Sequence, residues 1–343
     1  MKSGNRVLNA LQGRPVDRPP FICAGGMTSM MTVEAMQQLS ADWPRCHHDA
    51  KEMSRLAEGV RELTGIENLG VPFCMTVEAE AMGARVNMGT RESEPRVAAY
   101  PISRISKWET LSRLSDKQGR IGPVSDAIHI TSNRRLPYPV IANLTGPVSL
   151  ATSLIEPMVL YKAMGKEPAL VHEFMQFLCE NLIFFGRLML QAGADVLTVS
   201  DPSASGNILG PKGFEAFALP YINQILDALK DHCSPTMVHI CGDLKPVFSK
   251  LQDLHTRAIS IDSATSIAPL LSVLRKDQVI VGNVSTHLLM KGTPRQVERA
   301  SLTSLKRGVR ILSPACGISP HTPLANMQAM AESVRLPLSP ISG

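Results

Sequence analysis

The sequence predicts an α/β fold, a (β/α)8 TIM barrel with an N-terminal helical extension and an insertion after the second strand. Short apolar runs alternate with long amphipathic ones along most of the 343 residues, and eight of the short runs read as strands. No repeat or low-complexity linker divides the chain, so we expect one domain over residues 1–343. A doubly wound open sheet is the alternative, although no G-x-G-x-x-G motif follows a predicted strand.

The predicted strands are aliphatic runs, several of them bounded by turn-forming residues. They lie at residues 19–24, 64–71, 138–143, 194–200, 236–241, 257–262, 278–283 and 309–314.

The predicted helices carry apolar residues at three- and four-residue spacing, which is typical of a helix that packs on a sheet. The clearest one covers 166–192, and others follow at 211–231, 293–308 and 322–334. Residues 84–135 are less regular, and they predict the insertion, with two helices near 107–117 and 120–133.

Composition excludes several classes of protein. With 44% hydrophobic and 19% charged residues, the chain can bury a full core and is not disordered. The net charge is +5 without a basic run interleaved with aromatics, so we expect no nucleic-acid partner. No signal-like segment and no apolar stretch of about 18 residues occurs, which predicts a cytoplasmic protein away from membranes. The seven cysteines are spread singly, unlike a disulfide scaffold.

Polar and metal-binding side chains follow the predicted strands. Because the carboxyl ends of parallel strands meet at one edge of a barrel, we expect them to form a rim around the active site. In chain order they are Cys23, Asn143, Asp201, His239, Cys241, Asp262, Asn283 and Cys316.

Three residues of this rim predict a zinc site. His239 and Cys241 are two residues apart at a strand end, so their side chains project to the same side, and Cys316 follows the last strand in a loop with Pro314 and Gly317. One imidazole and two thiolates form a soft donor set, and three protein ligands leave a fourth position for substrate. The alternative is that both cysteines are small core residues. Structural roles are an equal alternative for three other residues of the rim. Asp201 would cap the turn that follows it, and Asp262 and Asn283 would hydrogen bond to backbone groups of their loops.

The chain resembles the uroporphyrinogen decarboxylase superfamily, and within it the cobalamin-dependent methyltransferases that methylate coenzyme M. The resemblance runs from RVLNALQGRPVDRPP through NLTGPVSLA, GADVLTVSDP, HICGD, ISIDS and VGNVST to LSPACGISPHTPLANMQAM. It implies that zinc is held by the H-x-C motif, His239 and Cys241, and by Cys316 of the C-G-I-x-P-x-T-P segment.

The chain departs from the decarboxylase branch at the positions that bind porphyrinogen. CAGGMTS at 23–29 replaces an Arg-rich loop, and Cys74, Ser153 and Cys316 fall where the decarboxylases carry Asp, Tyr and His. A rim that is poor in carboxylates and carries thiols is not suited to that decarboxylation.

The resemblance therefore implies transfer of a methyl group from methylcobalamin to a zinc-activated thiol such as coenzyme M. A separate corrinoid protein is the implied partner, because no D-x-H-x-x-G motif occurs in the chain. We expect Asn143, Asp201 and Met27 to line the substrate or corrinoid site, and Asp262 or a backbone carbonyl to orient His239. Alternatives are a methyltransferase that loads the corrinoid protein from a methylated donor, and a non-catalytic protein that binds zinc or docks a corrinoid protein.

Overall fold

The structure is a computed structural model that describes residues 1–23, 31–41, 43–232 and 235–337. Its main element is a parallel sheet of seven strands, paired in the order β1, β4, β5, β6, β7, β8, β9. The α/β prediction is confirmed, and the architecture is consistent with a TIM-barrel-like fold. The strands are β1 (Leu69–Val71), β2 (Arg85–Asn87), β3 (Arg96–Ala99), β4 (Val140–Thr145), β5 (Val196–Ser200), β6 (Thr236–Ile240), β7 (Ala258–Ile261), β8 (Val279–Val284) and β9 (Ile311–Pro314).

Helices separate consecutive strands of the sheet, as parallel pairing requires. In the described part of the chain, none of them combines the length and apolar character needed to cross a membrane. They are α1 (Ser3–Leu11), α2 (Val33–Gln38), α3 (Trp43–Cys46), α4 (Ala50–Thr64), α5 (Val77–Ala81), α6 (Ile121–Asn133), α7 (Pro147–Leu154), α8 (Pro157–Lys166), α9 (Pro168–Gln191), α10 (Gly206–Gly213), α11 (Leu219–Leu229), α12 (Phe248–Leu251), α13 (Ile267–Leu271), α14 (Thr286–Lys291), α15 (Pro294–Lys306) and α16 (Leu324–Ser333).

The first predicted strand forms a single bridge instead of a strand. Phe21 pairs in parallel with Leu312 of β9, and the Ile22 amide donates to the Leu312 carbonyl at 2.9 Å. On its other side, the Phe21 carbonyl accepts from the amide of Glu67, just before β1, at 2.8 Å. The segment therefore hydrogen bonds to both edges of the seven-stranded sheet.

The helix predicted over 211–231 is divided in the structure. α10 contains a kink at Gly210, whose φ is 64°, and a π-helical turn over Phe214–Ala218 precedes α11. Pro220 lies at the start of α11 and has no amide hydrogen, so the regular ladder of hydrogen bonds is interrupted there. The other three helices lie within the predicted ranges, as α9, α15 and α16.

The region 84–135 contains a hairpin that sequence patterns do not predict. β2 and β3 pair in antiparallel fashion, and only a 3-10 turn (Ile105–Thr110) occupies the place of the helix predicted at 107–117. The helix predicted at 120–133 is α6. The strands are only three and four residues long and contain no buried side chain, so their pattern is too short to predict a hairpin. Gly89 turns the chain with φ +73°, and a Cβ there would lie 2.1 Å from the Ser93 carbonyl oxygen.

The inner face of the sheet changes from apolar to polar along strands β4 to β9. At the amino ends, side chains from neighbouring strands meet in one cluster that α1 covers, with Ile141 and Met237 among its members. Since alternate residues of a strand share a face, Asn143 and His239 lie on the same face two positions further on. The polar inner face therefore begins immediately above a sealed apolar layer.

Candidate metal centre

His239 and Cys241 lie side by side at the carboxyl end of β6. His239 is in the strand and 1% exposed, whereas Cys241 follows its last residue. The distance from His239 Nε2 to Cys241 Sγ is 3.0 Å. The H-x-C spacing has the expected effect, because both side chains point to the same side of the strand.

Cys316 reaches the same point from the loop after β9. Its Sγ lies 2.6 Å from Cys241 Sγ, although the two residues are 75 positions apart in the chain. The donor atoms of His239, Cys241 and Cys316 all lie within 4.8 Å of one another, and among the described residues no other His, Cys, Asp or Glu joins this group. The structure thus brings together the three predicted ligands.

These donors fit a zinc ion. Zinc binds sulfur at about 2.3 Å and imidazole nitrogen at about 2.0 Å, so two ligands of one ion are separated by at most about 4.6 Å. In a tetrahedral site two sulfur ligands lie about 3.8 Å apart. The sulfurs of Cys241 and Cys316, 2.6 Å apart here, would therefore separate by about 1 Å to hold the ion, which a small side-chain adjustment allows. One nitrogen and two sulfurs are the donor types that select zinc.

Ser260 orients the imidazole ring of His239. Nδ1 lies 2.9 Å from the Oγ of Ser260, which is the residue paired with His239 in the neighbouring strand β7. Our expectation of Asp262 or a backbone carbonyl was therefore wrong. Asp262 instead accepts hydrogen bonds from the amides of Ala264 and Gly242 and closes its own loop. With Nδ1 held by Ser260, Nε2 faces the sulfurs.

The sulfurs of Cys241 and Cys316 influence each other's pKa values. The hydrogen bond between them lowers the pKa of Cys316 and raises the pKa of Cys241. A hydrogen bond from His239 lowers the pKa of Cys316 further. One thiolate is therefore already favoured beside the imidazole, and a thiolate is the form that binds metal.

Asp201 has a structural set of partners. Its carboxylate is fully buried and accepts from the amides of Val148 and Ser149, at 3.0 and 2.7 Å, at the start of α7. The hydroxyl of Ser149 donates to it as well, at 2.7 Å. Burial raises the pKa of Asp201 to about 6. Asp201 thus binds the first amides of α7, the helix that follows the neighbouring strand β4. It does not cap the turn that follows Asp201 itself.

Asn143 and Met27, the other predicted lining residues, have different outcomes. Asn143 is 4% exposed, and its Oδ1 accepts from Ser200 Oγ at 2.5 Å. Its Nδ2 has no hydrogen-bond partner among the described residues. Met27 lies outside the described residues. Asn283 is bound structurally, since its Nδ2 donates to the carbonyls of Asp262 and Thr265.

Two groups near the centre were not predicted as site residues. Glu94, in the β2–β3 loop, lines a cavity of about 340 Å³ together with Gly317, the residue after Cys316. Burial, and then the charges of Cys74 and Cys316, raise the pKa of Glu94 to about 7. The buried Arg120 donates to Cys74 Sγ at 3.0 Å. No local motif marks either group, because the tertiary fold alone brings them to the rim.

Comparisons with known proteins agree with this geometry. The uroporphyrinogen decarboxylase (URO-D) family model matches residues 2–336. Methylcobamide:CoM methyltransferase MtbA of Methanosarcina acetivorans is 33% identical over 96% of both chains, and MtaA of Methanosarcina barkeri is 32% identical over 95% of both. A solved structure described as a methyltransferase from Methanosarcina mazei superposes with a TM-score of 0.90 at 31% identity, covering 98% of each chain. The chain belongs to the uroporphyrinogen decarboxylase family, on the branch of the methylcobamide:CoM methyltransferases.

Proposed function

We propose that the protein is a zinc-dependent methyltransferase that moves a methyl group from a methylated corrinoid to a small thiol such as coenzyme M. The observation that carries this proposal is the convergence of His239, Cys241 and Cys316 within 4.8 Å. It is supported by one-third identity, over nearly the whole chain, to relatives named methylcobamide:CoM methyltransferases.

Each residue of the centre has a distinct role in this reaction. His239 Nε2 and the two sulfurs would hold the ion, while Ser260 holds the imidazole in the orientation that directs Nε2 to it. Zinc, when bound, lowers the pKa of a thiol so that the thiolate nucleophile forms near neutral pH. The two cysteine thiolates would offset the charge of Zn²⁺, and an ion held by three protein ligands would have room for the substrate sulfur. That thiolate would take the methyl group from the corrinoid, with cob(I)alamin as the leaving group.

The methyl donor in this proposal is methylcobalamin on a separate corrinoid protein. The chain itself has no D-x-H-x-x-G motif, which supports a partner that delivers the corrinoid to the rim. The rim of this chain then has to orient the acceptor sulfur in line with the methyl group. We propose Asn143 and Met27 as lining residues of that site, and Asp201 as a residue that contributes to it by positioning α7.

We propose in addition that the sheet is a closed (β/α)8 barrel within a single domain over residues 1–343. Residues 19–24, of which the structure describes 19–23, would be its first strand, because the Pro20 carbonyl and the Ile22 amide hydrogen bond to Leu312 of β9 and the Phe21 carbonyl accepts from the amide of Glu67, just before β1. The helix α1 would be the N-terminal extension, and the β2–β3 hairpin with α6 the insertion after the second strand. The cytoplasmic location also stays a prediction.

The proposal is tested by Cys316→Ala, with Cys179→Ala as the matched control. Cys179 is a buried cysteine of α9 that donates to the Tyr221 carbonyl, away from the three ligands. We expect one zinc per chain and coenzyme M methylation from methylcobalamin in the wild type and the control, and loss of both in Cys316→Ala. Zinc would be measured by elemental analysis and methyl transfer by the absorbance of methylcobalamin.

Two results would contradict the proposal. Full zinc content and activity in Cys316→Ala would remove Cys316 from the ligand set. Methylation of cob(I)alamin from a methylated donor, without transfer from methylcobalamin to any thiol, would instead favour an enzyme that loads the corrinoid protein.

A further inference from the structure

A cavity of about 770 Å³ lies between the loop after β7, the carboxyl end of β8 and the helix α15. None of the three candidate metal ligands lines it. It is open here because α13, the helix that follows β7, has five residues, whereas α15 has thirteen. Its volume is within the range of sites that bind small organic molecules. The cavity is therefore a place for a ligand separate from the metal centre.

The wall that α15 contributes to this cavity is positively charged. Arg299, Thr303 and Arg307 line it at intervals of four residues, so they lie on one face of the helix. Arg295 continues the same face into an adjoining cavity of about 670 Å³, which Glu298 also lines. Among the described residues, none of the three arginines forms an ion pair with a carboxylate. No Asp or Glu of the described chain lines the larger cavity.

These charges are unfavourable for the helix itself. Arg295 and Arg299 are four residues apart, and like charges at that spacing repel each other on a helix surface. Arg295 also lies in the first turn of α15, which has no acidic residue, although the helix dipole disfavours a cation at this end. An anion bound against this face would offset both effects.

Buried polar side chains form the floor of the larger cavity. They are Thr265, Asn283 and Ser304, each at most 9% exposed. Asn283 Oδ1 accepts from Ser304 Oγ at 3.1 Å, and Asn283 Nδ2 donates to the Thr265 carbonyl at 3.4 Å. Thr265 Oγ1 in turn donates to the Gly242 carbonyl at 2.8 Å. Hydrogen bonds thus hold the floor in place before a ligand binds, as a preorganised site requires.

The charge of the lining indicates a dianion. The guanidinium groups of Arg299 and Arg307 present forked N–H donors that match the oxygens of a phosphate group. A phosphate monoester carries nearly two negative charges at pH 7 and so balances both arginines, whereas a single carboxylate balances one. Eight residues of helix span about 12 Å, so the two long side chains can approach one group from either side.

The rest of the lining indicates that the phosphate carries an organic group. The wall opposite the arginines is apolar, and a bare phosphate ion would leave most of the cavity empty. The apolar residues are Ile267, Ala268, Pro269, Val284 and Leu288.

We propose that this cavity binds a phosphate monoester of a small organic molecule. The phosphate group lies between Arg299 and Arg307, and the organic group covers the apolar wall. No residue of the metal centre lines the cavity, so the site does not depend on the proposed function.

The test is isothermal calorimetry at constant ionic strength with four probes. Adenosine 5′-monophosphate (AMP) and phenyl phosphate are phosphate monoesters, inorganic phosphate lacks the organic group, and adenosine lacks the phosphate. The variants are Arg299→Gln and Arg307→Gln, both at exposed positions. The matched control is Arg104→Gln, at an exposed arginine that lines neither cavity.

We expect the wild type to bind at least one of the two monoesters more tightly than inorganic phosphate, and adenosine to give no measurable heat. Arg299→Gln and Arg307→Gln should each weaken binding of that monoester by about tenfold, the factor expected for a lost hydrogen bond to a charged group. Arg104→Gln should bind like the wild type. If one arginine variant does not fold, as judged by circular dichroism, the other decides alone.

Three results would overturn the inference. Absence of binding for both monoesters would leave this face of α15 as a solvated basic surface. Inorganic phosphate that binds as tightly as the monoesters would exclude an organic group from the ligand. An equal loss of affinity in Arg104→Gln would mean that the probes respond to the net charge of the protein. Zinc content and thiol methylation, which test the proposed function, are unaffected by any of these outcomes.

Discussion

The two ends of the inner sheet face differ in chemistry although the same strands build both. At the amino ends, Val7 and Leu11 of α1 pack against residues such as Met237, and each of these side chains is fully buried. Two positions further along β6, His239 belongs to the candidate metal centre. One step of strand alternation thus separates a packed core from a reactive group. Stability and chemistry should therefore be separable by substitutions at the two ends.

Removing a metal ligand should have the largest effect on the polar end. Cys241→Ser replaces a soft thiolate by a hydroxyl that binds zinc poorly. We expect loss of bound zinc and a fall in methyl transfer of more than about a hundredfold, because even residues that only orient a ligand cost 10- to 100-fold. The unfolding free energy of metal-free protein should change by less than about 1 kcal/mol, since Cys241 is only partly buried. If Cys241→Ser bound zinc with wild-type affinity, Cys241 would not be a metal ligand and the polar end would not hold the predicted centre.

Truncating a side chain of the apolar cluster should lower stability and leave zinc binding unchanged. Leu11→Ala leaves a cavity beneath the apolar layer and should lower the unfolding free energy by about 2–5 kcal/mol. Zinc content and methyl transfer, measured well below the melting temperature, should stay at wild-type levels because the metal centre lies at the other end. Urea denaturation and elemental analysis check both points. A parallel loss of zinc from folded Leu11→Ala would mean that the two ends are coupled.

The sequence predicts the strands and helices of this fold better than it predicts which side chains contact one another. Seven of the eight predicted strands occur, since each is an aliphatic run followed by a helix. His239 and Cys241 could be assigned to one side of a strand from their spacing alone. Ser260 was missed, because its contact with His239 depends on the register between β6 and β7. Glu94 was missed because it lies in a hairpin of two short strands without a buried side chain, which the sequence pattern does not predict.

Asp201 offers a pH-dependent test of the polar end. Burial raises its pKa to about 6 from an ordinary value of 3.8, so its contribution to stability is fully present below pH 3.8 and is lost as the pH rises through about 6. Two pKa units correspond to about 3 kcal/mol. Relative to Asp201→Asn, the unfolding free energy of the wild type should fall by up to that amount between pH 4 and pH 7, as urea titrations would measure.

The apolar end supplies the control for this pH dependence. Leu11 and its neighbours in the apolar cluster carry no ionisable group, so the destabilisation by Leu11→Ala should be the same at pH 4 and pH 7. Parallel pH profiles of the wild type and Asp201→Asn would contradict the raised pKa. They would assign the pH dependence to other buried carboxyls such as Glu78, whose pKa is also raised by burial.

The smallest expected effect is at the residue that only orients a ligand. Ser260→Ala removes the oxygen that lies 2.9 Å from His239 Nδ1, so the imidazole can rotate and its Nε2 is less well directed to the metal. We expect zinc affinity to fall by about 10- to 100-fold, with the stoichiometry restored at high zinc concentration. Ser301→Ala is the matched control, because Ser301 is a buried serine that donates to the Val297 carbonyl within α15. Competition with a chelator measures both affinities. Equal zinc affinities in the two variants would mean that packing alone orients His239. The geometry of the metal centre would then be set by side-chain packing in the sheet, as it is in the apolar cluster.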